Sequence, residues 1–180
     1  MPPISSALKV TGGEIRLLQG DITQIHADAI CNAANSGLRG GGGVDGAIHR
    51  AGGPSIMAEL DIIRQRAGGC PTGSAVATTA GNLDALWVFH AVGPIYESAD
   101  SSAPMLVSAY NACMHLANER QLRSMAFPSL STGVYGYPIK EAAPIALQTV
   151  KSCLPASTIS VVTFVLFDVG SFEAFNSHLG

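Results

Sequence analysis

The segment from Asn32 to His49 reads Asn-Ala-Ala-Asn-Ser-Gly-Leu-Arg-Gly-Gly-Gly-Gly-Val-Asp-Gly-Ala-Ile-His. It places two carboxamides, Asn32 and Asn35, ahead of four consecutive glycines, Gly40 to Gly43, and a carboxylate, Asp45. Four adjacent residues without Cβ are costly to order. A folded domain tolerates that cost where something must approach the backbone closely, and the usual candidate is a phosphate. A loop built only for phosphate would avoid the negative charge of Asp45. The combination predicts a phosphate-bearing ligand with chemistry performed beside it.

A second loop, Pro128-Ser-Leu-Ser-Thr-Gly-Val-Tyr-Gly-Tyr-Pro138, offers backbone N–H groups through Gly133 and Gly136 and hydroxyls from Ser131 and Thr132. It is either an anion site at the start of the following helix or an ordinary strand-to-helix connection. Tyr135 and Tyr137 either close over a ribose or pack. Ser131 is no nucleophile elbow, because Ser129 and not glycine stands two residues before it. Asp21, in Gly20-Asp-Ile-Thr23, reads as a helix N-cap or as an acceptor for an adenine amino group. Phe167 reads as core or as a platform for a base.

Other motif classes fit poorly. Gly41-x-Gly43-x-x-Gly46 satisfies the bare dinucleotide pattern, with Asp61 twenty residues beyond Gly41. In that motif the first glycine follows directly on a strand, whereas here the spacer Asn32 to Arg39 intervenes and Asp45 would face the pyrophosphate. His26, His49, His90, His115 and His178 lack ligand spacing, with His49 on the helix after the glycines and His90 within a strand. No metal site is expected, and no cofactor. No Gly-Lys pair exists, which argues against a nucleoside triphosphatase.

The elements that must carry these loops follow from periodicity. Strands are predicted at Glu14 to Gln19, Ala29 to Cys31, Ser74 to Thr79, Leu86 to Val92, Ser124 to Phe127 and Ser160 to Phe167. Helices are predicted at Val44 to Ala51, Pro54 to about Arg66, Met105 to Arg120, Ile139 to about Leu154 and Ser171 to Leu179. The alternation indicates an α/β fold with helices on both faces of a mostly parallel sheet. Ligands in such sheets sit beyond the carboxyl ends of the strands, where both glycine-bearing loops and Phe167 fall.

At 180 residues, one domain over 1–180 is expected, with residues 1–13 as an N-terminal extension. A chain of that length buries roughly 70% of its unfolded surface. The net charge of −3 and only 10 Lys and Arg give no strong nucleic-acid signal. Cys31, Cys70, Cys113 and Cys153 lie at least 39 residues apart, without zinc or redox spacing, and the apolar neighbours of Cys31, Cys113 and Cys153 suit buried thiols in a reducing compartment. No secretory signal is evident, and the longest apolar stretch, Val161 to Phe167, is too short to span a membrane. A cytoplasmic protein is expected.

Taken jointly, Gly20 to Thr23, Asp28 to Asn35, Gly40 to His49, Cys70-Pro-Thr-Gly73, Val92-Gly-Pro94 and Pro128 to Pro138 resemble the macrodomain family in its order and approximate spacing, from about Glu14 to the final helix. Within it they resemble the MacroD type, which includes bacterial O-acetyl-ADP-ribose deacetylases. The resemblance implies a three-layer α/β/α fold with a mixed, roughly six-stranded sheet and ADP-ribose as the ligand core. It implies an adenine-binding acid at Asp21, backbone help from Ile22 and a distal-ribose asparagine at Asn35. Gly41, Gly42, Gly43 and Val44 would lie against the distal phosphate and ribose. Ser131, Thr132, Gly133, Val134, Tyr135 and Gly136 would form the diphosphate loop, with Phe167 near the adenine. Asp45 matches the acid that activates or positions water. Gly37, Arg39 and Gly52 depart from the residues expected there, and Arg39 is placed to alter acyl or protein-substrate preference.

The expected activity is hydrolysis at the distal ribose of O-acetyl-ADP-ribose or of mono-ADP-ribosyl groups on protein Asp or Glu. A non-catalytic ADP-ribose reader is the alternative, which the pairing of Asn35 with Asp45 argues against. An NAD-linked oxidoreductase would instead prefer NAD to ADP-ribose.

Overall fold

The structure, a computed structural model, describes residues 3–180. Among the described residues seven strands form one sheet, one more than expected from sequence. They are β1 (Ser5–Val10), β2 (Gly13–Gln19), β3 (Ala29–Ala33), β4 (Ala75–Thr79), β5 (Trp87–Ala91), β6 (Ser124–Phe127) and β7 (Val161–Leu166), in the order β1-β2-β7-β6-β3-β5-β4. The five inner strands run parallel, and β1 and β4 are antiparallel at the two edges.

The additional strand is β1, within the segment assigned to an extension. Its alternation is faint, because Ser5, Ala7 and Lys9 face solvent and only Ser6, Leu8 and Val10 are half-buried. The turn into β2 requires Gly12, at φ +89°, where a Cβ would lie 2.7 Å from the backbone of Leu154 and Pro155.

The helices are α1 (Gly43–Gly52), α2 (Pro54–Ala67), α3 (Ala99–Glu119), α4 (Ile139–Cys153) and α5 (Val169–Asn176). Helix α3 begins six residues before the predicted start, capped by Ser98, whose side chain accepts from the Ser101 N–H. Pro104 lies inside its second turn. Proline there removes one backbone hydrogen bond and crowds the carbonyl four residues earlier, yet the helix continues through it.

Period-two alternation divides the core into two layers. Ile15, Leu17, Cys31, Phe127 and Phe164 point to the face covered by α3, α4 and α5. Ile30, Val88 and Val165 point to the face of α1 and α2, against Ile48, Ile56 and Leu60. The centre of the first layer is aromatic. Phe164 lies 5.6 Å from Phe127, 6.2 Å from Tyr110 and 5.2 Å from Phe175 between ring centroids.

All five parallel strands end at the same sheet edge. Five segments therefore meet there: Gly20-Asp21 after β2, Asn35 to Gly42 after β3, Val92 to Tyr96 after β5, Pro128 to Pro138 after β6, and Phe167 after β7. Among the described residues, no helix is long and apolar enough to cross a membrane.

Phe164 is wholly buried, so Phe164→Ala is expected to destabilise the fold by about 3–5 kcal/mol. Urea unfolding followed by circular dichroism measures this. A loss under about 1 kcal/mol would mean that the site relaxes freely and the aromatic layer does not hold the sheet.

Candidate active site

Asp45 occupies the first turn of α1, where the positive end of the helix favours a carboxylate. It is 6% exposed. Its Oδ1 accepts a hydrogen bond from Asn32 Nδ2 at 2.7 Å. His49, one turn further along α1, brings Nε2 to 3.3 Å from the same oxygen, but the direction is poor and Nε2 makes no hydrogen bond. Oδ2 takes no hydrogen bond from the protein, is not sealed from solvent, and faces the glycine loop.

That loop is braced rather than loose. Asn35 Nδ2 donates to the Gly40 carbonyl at 2.9 Å, and its Oδ1 accepts from the Arg39 N–H at 3.2 Å. Leu38 is buried at φ +54°, a region few non-glycine residues occupy. Arg64 of α2, ion-paired with Asp61, donates to the Leu38 carbonyl at 2.5 Å and clamps it. Gly41 is where the two predicted catalytic side chains converge. A Cβ there would stand 3.5 Å from Asp45 Oδ2 and 4.0 Å from Asn35 Nδ2. Gly46 lets α1 approach, since a Cβ on it would lie 2.6 Å from the Gly41 carbonyl. Around Gly42 and Gly43 the space is open. No side chain caps α1, so its first N–H groups are free for a ligand. The spacer before the glycines forms this loop, which is not the strand-adjacent turn of a dinucleotide fold.

The second loop leaves β6 and touches the segment after β5, so it must pass over the end of β3, which lies between them. The contact is Ser131 against Gly93: a Cβ on Gly93 would fall 2.2 Å from Ser131 Oγ. Ser131 adopts φ +67° and its hydroxyl is sealed without a partner. The loop closes on itself through Tyr137 N–H to the Ser131 carbonyl (2.9 Å) and Gly136 N–H to the Gly133 carbonyl (3.0 Å). The Tyr135 carbonyl accepts from the Tyr96 N–H at 2.9 Å. Among the described residues, the N–H groups of Thr132, Gly133, Val134 and Tyr135 find no protein acceptor. Val134 is fully exposed. Tyr137 packs, buried edge-on against Tyr96 at 4.8 Å, whereas Tyr135 stays half-buried at the rim.

Further along the edge, Asp21 caps the 3-10 turn at Ile22–Gln24 through Oδ1, which accepts from the Thr23 N–H (2.9 Å) and Thr23 Oγ1 (2.7 Å). Its Oδ2 makes no protein hydrogen bond, so capping leaves one oxygen free. Ile22 is buried. Phe167 is 83% exposed at the end of β7, next to β2, and Gly20 N–H bonds to the Leu166 carbonyl at 2.9 Å. The candidate site thus extends along the carboxyl ends of the parallel strands, from Asp21 and Phe167, past the second loop, to Gly41 and Asp45. At about 4.8 Å per strand, β2 and β3 are roughly 14 Å apart.

Three polar residues behind Asp45 were given no role from sequence. Asn32 of β3 pairs in register with His90 of β5, and its Nδ2 lies 3.2 Å from His90 Nδ1. His90 Nε2 lies 2.9 Å from Thr78 Oγ1 on β4. Burial, reinforced by the nearby His49, depresses the His90 pKa from 6.5 to about 3, so the ring is neutral. Cross-strand register is the signal that would have joined these residues, and spacing within one strand does not contain it. No cluster of three or more metal-ligating side chains occurs among the described residues.

The Macro domain family profile matches residues 31–146, and this chain belongs to the macro domain family. A macro domain-containing protein of Streptomyces nogalater is 54% identical over 168 residues, covering 92% of each chain. O-acetyl-ADP-ribose deacetylase 1 of Pantoea vagans is 48% identical over 165 residues, covering 90% of this chain and 96% of that protein. The Oceanobacillus iheyensis macrodomain with ADP superposes with a TM-score of 0.95 at 37% identity, covering 99% of this chain and 96% of that one. Solved variants of that macrodomain replace an asparagine, or an aspartate ten positions later, by alanine. Asn35 and Asp45 are likewise ten positions apart.

The buried neutral histidine fixes the sign of one pH effect. The unfolded chain binds a proton at His90 below about pH 6.5 and the folded chain does not until about pH 3, so stability falls as pH falls through that window. The expected contribution is about 2 kcal/mol between roughly pH 6.5 and pH 4.5. In urea titrations, His90→Leu is expected to flatten the slope by that amount. An unchanged slope would mean that His90 protonates freely in the folded state.

Proposed function

We propose that this protein binds ADP-ribose along this end of the sheet and hydrolyses the acyl ester of O-acetyl-ADP-ribose at the distal ribose. The observation that carries this reading is the buried Asp45, pinned through Oδ1 by Asn32 while Oδ2 faces the glycine loop unengaged. A module that only held a nucleotide would have no use for a carboxylate fixed beside a phosphate-binding loop. The name of the Pantoea vagans relative gives the same chemistry.

The residues divide the work along the site. Asp21, through its free oxygen, and the Ile22 backbone take the adenine edge, with Phe167 against the base. The unpaired N–H groups of Thr132 to Tyr135 in the second loop, together with those of Gly41 to Val44 leading into α1, neutralise the diphosphate. These donors are already fixed, so little reorganisation accompanies catalysis. Asn35 orients the distal ribose hydroxyls. Asp45 Oδ2 holds a water and draws its proton as the water oxygen adds to the acyl carbon. The bond from that carbon to the ribose oxygen then breaks, the ribose oxygen takes up a proton, and acetate leaves. No cofactor is required. Carboxylates are weak bases at neutral pH, so the substrate's phosphate assists in accepting the proton.

An ester between the distal ribose and a protein Asp or Glu presents the same bond. The open space at Gly42 and Gly43 supports access for such a substrate, because an attached protein must leave the site on that side. Mono-ADP-ribosylated proteins are therefore proposed as a second substrate class.

Two variants test the reading. Asp45→Ala is expected to lower kcat for acetate release by ~10²–10⁴-fold and to keep ADP-ribose affinity in calorimetry, and an unchanged rate would remove Asp45 from the reaction. Gly93→Ala, by pushing Ser131 out of place, is expected to weaken ADP-ribose binding by roughly tenfold or more, the cost of losing a charge-assisted hydrogen bond. Wild-type affinity in that variant would show that the diphosphate does not sit on the second loop.

A further inference from the structure

The polar row Thr78–His90–Asn32 lies behind Asp45 and takes no part in the reaction as proposed. The three side chains occupy neighbouring strands β4, β5 and β3, on the face covered by α1 and α2, and all are buried. Their neighbours on that face, Ile30 and Val88, are apolar. Three polar groups in such a layer have to satisfy one another.

The proton positions follow from the partners. Asn32 Nδ2 can only donate, so His90 Nδ1 accepts at 3.2 Å and the one proton of the neutral ring sits on Nε2. Nε2 then donates to Thr78 Oγ1 at 2.9 Å, and the threonine hydroxyl donates its own hydrogen to the Thr79 carbonyl at 3.0 Å. The second amide hydrogen of Asn32 goes to Asp45 Oδ1 at 2.7 Å. Turning the amide over would set its oxygen 2.7 Å from the Asp45 carboxylate oxygen with no hydrogen between them, so the orientation is fixed. The remaining atom, Asn32 Oδ1, is sealed without any partner. An unpaired buried acceptor is destabilising, and a side chain present only for packing would not carry one.

We propose that His90 is a positioning residue that holds Asp45 in place through Asn32, with Thr78 setting the histidine tautomer. This rests on the reading of Asp45 as the group that activates water. Without the imidazole acceptor, the Asn32 amide turns about its side-chain bonds and Asp45 loses its one directed hydrogen bond. Ligand binding along the rest of the site is untouched.

The test uses the full chain with His90→Leu, His90→Asn and Thr78→Val, and with His90→Leu added to Asp45→Ala. Acetate release from O-acetyl-ADP-ribose gives kcat and KM, calorimetry gives ADP-ribose affinity, and thermal melting certifies folding. His90→Leu is expected to lower kcat by about 10–100-fold, the scale of a small misplacement of a reacting group. Its ADP-ribose affinity should stay within about twofold, since residues outside the contact behave independently. His90→Asn, whose Oδ1 falls near the former Nδ1, should recover most of the rate. In the Asp45→Ala background His90→Leu should add less than about twofold, because the two act as one unit.

A folded His90→Leu with wild-type kcat overturns the proposal, as does an equal loss in both backgrounds. Thr78→Val, which keeps the ring, is expected to lower kcat by a smaller factor and carries the same comparison if the leucine variant does not fold. Wild-type kcat in Thr78→Val then overturns the proposal. Failure of the reaction reading is seen separately, as an Asp45→Ala variant with full activity and His90 intact.

Discussion

A single side-chain amide holds the site together. Asn32 lies in the second-to-last position of β3, and its two N–H bonds point to Asp45 Oδ1 and His90 Nδ1. One acceptor belongs to a helix and the other to a neighbouring strand. The amide thereby ties α1 to the sheet at the point where the carboxylate must be held. In a low-dielectric interior such a bond is stronger and more directional than in water. The orphaned Asn32 oxygen is the structural cost of directing both hydrogens to these partners.

Close approach is the second constraint, and glycines beside the site supply it, Gly46 and Gly93 among them. Gly46 allows α1 to settle against the Gly41 carbonyl, and Gly93 allows the loop after β6 to settle on the segment after β5. The first contact turns the start of α1 toward the site. The second folds the Ser131 to Gly136 loop over the end of β3. Together they bring two sets of unpaired N–H groups to the same end of the sheet, with Asp21 and Phe167 further along it. The polar surface follows from parallel strands ending together, a general property of such sheets.

Much of this was legible in the chain. The glycine run, Asp45 and Asn35 stood out by residue type and spacing, and the structure brings them together at Gly41. The alternation of strand and helix gave the layered architecture. Asp21 illustrates a false choice, because one carboxylate oxygen caps the turn while the other stays free. What was not legible depends on non-local register. His90 read as an isolated strand histidine, since its partners stand 58 residues earlier on β3 and 12 residues earlier on β4. Gly93 gave no hint of its contact with Ser131. Strand β1 was missed because a half-exposed edge strand shows little hydrophobic contrast, and the start of α3 because the Ser98 cap precedes a polar, proline-bearing first stretch with no apolar stripe.

The central claim is a geometric one: two loops hold one diphosphate while Asp45 faces the sugar beyond it. A crystal structure with ADP-ribose tests this most directly. The account predicts phosphate oxygens on the N–H groups of Thr132 to Tyr135 and of the glycine loop, and a water within about 3 Å of Asp45 Oδ2 on the distal ribose side. A diphosphate bound elsewhere, or an Asp45 carboxylate turned away from that sugar, would contradict it.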